Sequence, residues 1–443
     1  MQTNKNNLAK NASYLVIVQI ANLALPFISI PIVSRIVGVE NFGLINYSIA
    51  FINYFVLLID YSFSFSATRL AVKHIDNQKE LNIIYSNVLS TKLFLFLISL
   101  VLFTGTLYFL DIDTKSKYLF SFTYLFTIST ILNNNWIYQA FQSLSKVAIF
   151  SFFNKILFTI LILFFIRQKE DYVYYCIIYS LTAIITSIIS FIYARNKYFL
   201  RLKIASFYNI WLTLKNDFII FFSTVVISLY TVTNIIILGI TSSSNEVGLY
   251  SSAEKITNLV STVLGLSFSQ ALYPYIAQSF NVNLNLGIEK VQKILPIIIY
   301  IVLCCTIVLF FFSSIIVNLI YGNDYLPASY LIKWMVLIPL LVTISNMFGI
   351  QLMLNLKFDK YFLYITSLGA IFGLLSNYFL STKFAAIGTS ISWLLTEMII
   401  TILMYIFLRY KGINPINFNY YKPNFIKTQI IDITQSILKK IKT

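Results

Sequence analysis

The sequence predicts an all-α polytopic membrane protein of about twelve transmembrane helices, and three observations carry that reading. Hydrophobic residues make up 58% of the chain against 11% charged, and mean hydropathy is +0.80, well outside the range of soluble domains. A hydrocarbon core of about 30 Å takes roughly 20 apolar residues as a helix. Twelve such segments lie near 12–37, 42–64, 83–110, 118–142, 147–166, 172–194, 217–240, 256–279, 291–320, 330–354, 361–381 and 387–408. Strand-like alternation is absent, and lipid admits only helices or closed barrels. The segments fill the chain and leave no room for a large soluble domain. No signal-peptide pattern precedes them, so the first helix is expected to stay.

Charge supplies the orientation. The net charge of +16 would suit a nucleic-acid binder, but its distribution points elsewhere. With both ends inside, the inner loops and tails hold 22 Lys and Arg, the outer loops 6, and four lie within helices. Seven of the inner ones sit in the C-terminal tail, and the excess survives without them. That is the positive-inside pattern. It predicts a membrane protein with both termini cytoplasmic and no nucleic-acid partner. Cys176, Cys304 and Cys305 fall inside predicted helices without metal spacing and read as small packing residues. Neither a metal nor a cofactor is expected.

The chain divides in two. A basic, aromatic-rich stretch, RNKYFLRLKIASFYNIWLTLK at 195–215, suits a helix lying in the interface between two six-helix halves. The expected domains are an N-terminal lobe over 1–203, a linker helix with a C-terminal lobe over 204–412, and a cytoplasmic amphipathic tail over 413–443. In that tail Ile426, Ile430, Ile433, Ile437 and Ile441 recur at helical spacing. Duplication supports the split: ENFGL (40–44) follows the first helix and NEVGL (245–249) the seventh. NNNWIYQ (133–139) and SNMFGIQ (345–351) share an Asn, an aromatic two later and a Gln three after that. Repeats of like orientation suit a secondary carrier. A GxxxxGK[ST] phosphate loop and a channel-type filter repeat are both missing.

Ionisable residues at bilayer depth cost roughly 2.5–3.5 kcal/mol each on insertion scales. Lys92 and Lys155 are central in the third and fifth helices, whereas Arg35 and Lys333 lie near the outer ends of the first and tenth. The acidic groups are Asp60 near the inner end of the second helix, Glu397 in the middle of the twelfth, and Asp217 at the entrance to the seventh. A water-filled cavity is the reading for the central lysines, with snorkelling open for Arg35, Lys333 and Asp60. Glu397 reads either as the ion-pair partner of a lysine or as a coupling site. The net positive cavity would favour an anionic passenger. Trp136, Tyr138 and Gln139, with the neighbouring asparagines, suit stacking and hydrogen bonding to sugars, or equally helix packing. Pro26 and Pro31 each remove a helix donor and mark a candidate hinge in a gate helix. His74 is the only histidine and lies in a loop, so there is little from which to build an enzyme site.

In order along the chain, several stretches resemble one known family. They are Asn11 with its apolar run, Pro26, Pro31 and RIVGVENFG; DYSFSFSATR (60–69); NNNWIYQAF; NEVGLYSSAEKI (245–256); ALYPYIAQ (271–278); and IYGNDYLPAS (320–329). The chain resembles the Wzx-type O-antigen and polysaccharide flippases of the multidrug/oligosaccharidyl-lipid/polysaccharide exporter (MOP) superfamily. It departs where the family often has glycine, at Ser62 and Ala140. The resemblance implies a MATE-like, V-shaped bundle of two six-helix lobes. It also implies a non-enzymatic activity: moving an undecaprenyl-pyrophosphate-linked oligosaccharide between leaflets. Membrane lipids, a polysaccharide polymerase and a chain-length regulator are the implied partners. The rivals are a MATE-type multidrug exporter, which should place acidic groups in its cavity, and a membrane glycosyltransferase or polymerase. The second would need a sizeable extramembrane loop, and no outer loop here exceeds about fifteen residues.

Overall fold

A computed structural model of the protein describes residues 25–109, 113–262, 272, 276–280 and 282–422. Asn11, the start of the first apolar segment, much of ALYPYIAQ and the isoleucine-spaced tail lie outside these. Every regular element among the described residues is helical, and seven helices are long and apolar enough to cross a membrane. Two of these, Ile28–Lys73 and Asp359–Tyr410, are long enough to hold two predicted segments each. The chain forms two compact units. One contains residues 1–228, 243–248 and 320–324; the other contains 229–242, 249–319 and 325–443.

The first unit opens with α1 (Pro26–Asp60). Pro26 sits in its first turn, where a missing N–H costs nothing. The helix runs through Pro31 without leaving helical geometry, and the chain turns instead at Gly38 (φ 78°, ψ 172°). The kink of this helix thus falls seven residues beyond Pro31, where the residue has no Cβ to oppose a positive φ. A second break follows at Tyr61 (φ 46°) and Ser62 (φ 61°), ahead of α2 (Phe63–Lys73). Next come α3 (Gln78–Phe109), α4 (Thr114–Tyr124), α5 (Phe126–Leu132) and α6 (Asn135–Ala140). α7 (Leu144–Phe165), α8 (Tyr172–Lys197) and most of α9 (Phe207–Thr231) complete the unit.

Between α8 and α9 the interfacial helix expected over 195–215 is interrupted. Residues 201–206 are non-helical and lie along α3. Asn82, Ser86 and Ser90, each four apart on α3, accept the backbone N–H groups of Arg201 (2.9 Å), Lys203 (3.0 Å) and Ala205 (3.0 Å). Four helical residues rise about 6 Å and two extended residues about 6.6 Å, so the two periods match. Gln78 extends the series by donating to the carbonyls of Tyr198 and Phe199, both at 3.1 Å.

Segment 243–248 opens α11 (Ser244–Val260) and belongs to the first unit. A Cβ on Gly43 would collide with the carbonyl oxygen of Ser244, and one on Gly248 with that of Val39. The two echoing motifs, ENFGL and NEVGL, thus meet backbone to backbone.

In the second unit, α10 (Thr233–Thr241) packs on α15 (Asp359–Tyr410). Asn377 Nδ2 donates to Asn234 Oδ1 (2.9 Å) and Thr241 to Ser381 (2.9 Å). α12 (Leu284–Ile320), α13 (Ala328–Met335) and α14 (Ile338–Asn346) build the rest, and α14 passes into a π-helix at Met347–Leu354. α15 itself turns at Ala385 (φ 48°, ψ −130°). Both Asn–aromatic–Gln motifs border irregular backbone: Asn134 lies in the gap between α5 and α6, with Trp136 and Gln139 in α6, and Phe348 and Gln351 lie in the π-helix after Asn346. Such departures from α geometry recur at functional positions.

Candidate functional site

The best-defined ionic feature of the first unit is built where α5 stops. A helix end leaves carbonyls without their usual donors. Lys92, on α3, donates to one of these, Thr130 O, at 3.1 Å. Its ammonium also pairs with Asp60 Oδ1 at 2.9 Å. Lys92 is 1% exposed and Asp60 29%, so the pair is a buried cation whose anion reaches toward solvent. Ser64 donates to the other Asp60 oxygen at 3.3 Å. Lys92 is therefore ion-paired in this structure, and its partner among the described residues is Asp60.

The Asn–Trp–Tyr–Gln cluster follows at the same gap. Asn133 Oδ1 accepts from Asn135 N (2.9 Å), and Asn134 Nδ2 donates to Tyr85 Oη (3.1 Å). Trp136 is 3% exposed and Tyr138 is fully buried, with its hydroxyl donating to Ser190 O at 2.7 Å. Tyr198, Tyr193 and Phe150 surround Tyr138. In this structure the two rings are packed among neighbouring aromatic side chains of the described residues. Gln139 is exposed on the other side of α6, where Thr68 donates to its Oε1 at 3.4 Å.

The remaining candidates are dispersed. Arg35 is exposed on α1, its stem against Gly322 in the 320–324 segment. Lys155 is half-buried in α7 beside Asn154. Asp217 is buried in α9 and accepts from Ser66 Oγ at 2.9 Å, which ties α9 to α2. Tyr61 Oη and Ser62 Oγ reinforce that corner through Leu214 O (3.1 Å) and Thr224 (2.8 Å). In the second unit Lys333 is exposed, its ammonium 5.9 Å from the centre of the Phe310 ring.

Glu397 lies in the second arm of α15 and is 7% exposed. No basic side chain pairs with it among the described residues. Its surroundings are tight, since Gly373 of the first arm sits where a Cβ would come within 2.9 Å of Thr396 Oγ1. A further polar cluster escaped the sequence reading. Tyr250 and Glu254, one turn apart on α11, are both buried in the second unit, as are Asn234 and Asn377. The i, i+4 spacing of Tyr250 and Glu254 was the available signal, but residues 241–255 read as an outer loop before the eighth apolar run. Asn377 Oδ1 has no hydrogen-bond partner among the described residues.

This all-helical, membrane-spanning architecture is shared with solved transporters. The lipid II flippase MurJ, in an inward closed conformation, superposes with a TM-score of 0.75 at 14% identity, over 96% of this chain and 92% of that one. An inward-facing multidrug resistance MATE family transporter of the MOP superfamily gives 0.67 at 12% identity, over 90% and 98%. At these identities the likeness is one of fold, and the fold is that of the MOP-superfamily transporters. The chain belongs to the family described as polysaccharide biosynthesis protein, whose profile matches residues 8–280. Two proteins named "Putative O-antigen transporter" are similar along nearly their whole length. The one from Escherichia coli K12 is 28% identical over 410 residues, 92% of this chain and 98% of its own. The one from Shigella dysenteriae is 27% identical over 402 residues, 89% and 98%.

Proposed function

We propose that the protein is an alternating-access flippase for undecaprenyl-pyrophosphate-linked oligosaccharide repeat units, O-antigen or capsular, in the bacterial cytoplasmic membrane. The near-full-length similarity to two proteins named for O-antigen transport carries this reading. The family match and the MOP fold support it. The inner excess of Lys and Arg supports cytoplasmic termini. The two six-helix lobes, 1–203 and 204–412, and the tail 413–443 belong to the same proposal.

In this reading Arg35 and Lys155 of the first unit, and separately Lys333 of the second, are candidate cationic contacts for an anionic passenger. Lys92 and Asp60 contribute a neutral pair that fixes the end of α5. Gln139, exposed beside Thr68, is the remaining sugar-binding amide of its motif. Glu397 is the coupling candidate, a carboxyl that can exchange a proton when its access to water changes. The flipped unit is then available to a polymerase and chain-length regulator.

The test uses cells lacking the protein and a tagged lipid-linked repeat unit. Exposure of the tag at the outer leaflet should fall to background and return with the wild-type chain; normal exposure without the protein would overturn the proposal. Lys155→Ala should lower flux at unchanged protein level, and unaltered flux would remove the cationic contact.

A further inference from the structure

The 201–206 segment and α3 enclose a pocket of about 470 Å³ that the flippase reading does not use. Lys79, Asn82 and Asn87 of α3, Arg201 and Lys203 of the extended segment, and Asn209 of α9 line it. All six belong to the first unit. Among the described residues no carboxylate pairs with Lys79, Arg201 or Lys203. Three unneutralised cations therefore face one cavity.

The hydrogen-bond pattern makes the pocket a donor site. Asn82 Oδ1 is occupied, accepting from Arg201 N at 2.9 Å and from Gln78 Nε2 at 3.3 Å. That fixes its amide orientation and leaves Nδ2 to donate into the cavity. Ser86 Oγ is spent on the segment, since it accepts from Lys203 N at 3.0 Å and donates to Asn82 O at 2.7 Å. The charged groups that remain to meet a ligand are ammonium and guanidinium donors, beside the amides of Asn82, Asn87 and Asn209, a set that complements phosphate oxygens.

The rim decides between a free anion and one carried by a lipid. Ile83 and Ile204 line the same pocket, and Ile204 is 97% exposed. Phe207, Tyr208 and Trp211 lie exposed on the following helix. Aromatic rings beside Lys and Arg mark the headgroup level of a bilayer. The excess of basic residues assigns this end to the cytoplasmic side, where anionic lipids attract such clusters. A soluble phosphate gains nothing from an apolar rim, whereas acyl chains do.

We propose that this pocket binds the phosphodiester headgroup of an anionic phospholipid of the phosphatidylglycerol type, with its acyl chains against Ile83 and Ile204. The site holds a structural lipid where the extended segment crosses α3, and its occupancy does not depend on the passenger.

The full-length protein in detergent, supplied with phosphatidylglycerol or phosphatidylcholine, is weighed intact by native mass spectrometry to count retained lipids. The wild type should prefer phosphatidylglycerol by about tenfold. In Lys79→Gln/Arg201→Gln/Lys203→Gln that preference should fall about fivefold or more. Arg201→Lys/Lys203→Arg, which keeps the charge, should retain it; this second variant guards against misfolding, as do melting curves of both. Equal retention of phosphatidylglycerol by wild type and the triple variant would overturn the proposal. Displacement of the lipid by millimolar inorganic phosphate would assign the pocket to a free anion and overturn the lipid assignment.

Discussion

Asp60 and Glu397 are both carboxyl groups inside membrane helices, and the structure treats them oppositely. Asp60 lies 2.9 Å from the Lys92 ammonium and keeps 29% of its side chain accessible. Glu397 is 7% exposed and has no cation beside it among the described residues. The difference follows from the local backbone. Where α5 ends, Thr130 O loses its helical donor, and a lysine brought in to satisfy it needs a counter-ion. Glu397 instead sits on an arm of α15 held close to its partner arm by Gly369 and Gly373. A carboxylate held by a cation stabilises one arrangement; one that, like Glu397, has no cation beside it among the described residues is the better candidate to change state.

Removing the cation should produce the largest effect. Lys92→Met leaves Asp60 without its partner and Thr130 O without its donor, a class of change that costs about 3–5 kcal/mol. Its melting temperature in detergent should fall well below wild type, and Asp60→Asn/Lys92→Met should recover most of the loss. A single variant as stable as wild type would break the comparison. Asp60→Asn alone belongs to the same class, about 3–5 kcal/mol, because it leaves the Lys92 ammonium, 1% exposed, buried without its counter-ion.

Glu397→Gln should change the melting temperature little, since a buried carboxyl without a cation loses no ion pair on becoming an amide. Its expected defect is in flux, measured as outer-leaflet exposure of the repeat unit. A loss of stability equal to that of Lys92→Met would make Glu397 a structural group.

The smallest effect belongs to an exposed carboxylate. Asp113 caps α4, accepting from Ser116 N at 3.1 Å and from Ser116 Oγ. These hydrogen bonds, the side-chain one first, hold its carboxyl below the ordinary value of 3.8. The folded value being depressed, its contribution is complete above that value and is lost as pH falls through the folded value. Asp113→Ala should therefore melt slightly lower at neutral pH, and the gap should close in strong acid.

How much of this was legible in the sequence depends on range. Apolar runs of bilayer length are local, and the predicted segments fall mainly on helix where they are described, with breaks at 61–62 and 133–134 that hydropathy does not show. Lys92 was identifiable as a buried cation from its depth alone. Its partner was not, because Asp60 ends its helix at a break, Tyr61–Ser62, whose residues carry no turn signature. Tyr61, Ser62 and Ala385 take left-handed conformations normally reserved for glycine. Ser62 recovers a hydrogen bond to Thr224 at 2.8 Å. The aromatic motif was ambiguous for another reason: the rings that would stack on sugar also serve as core, and composition does not say which face is covered. Glu254 was lost to segmentation, because α11 begins before its apolar stretch does.

The match between Asn82, Ser86, Ser90 and the backbone of Arg201, Lys203, Ala205 sets a counting rule for the chain. Alternate residues of an extended segment face opposite ways, so one inserted residue downstream of Leu200 would exchange the sides on which the basic and apolar side chains emerge. Two inserted residues would restore the facing and leave a bulge. The segment between α8 and α9 is thus constrained in parity as well as in length, and its tolerance of insertions should alternate between odd and even numbers.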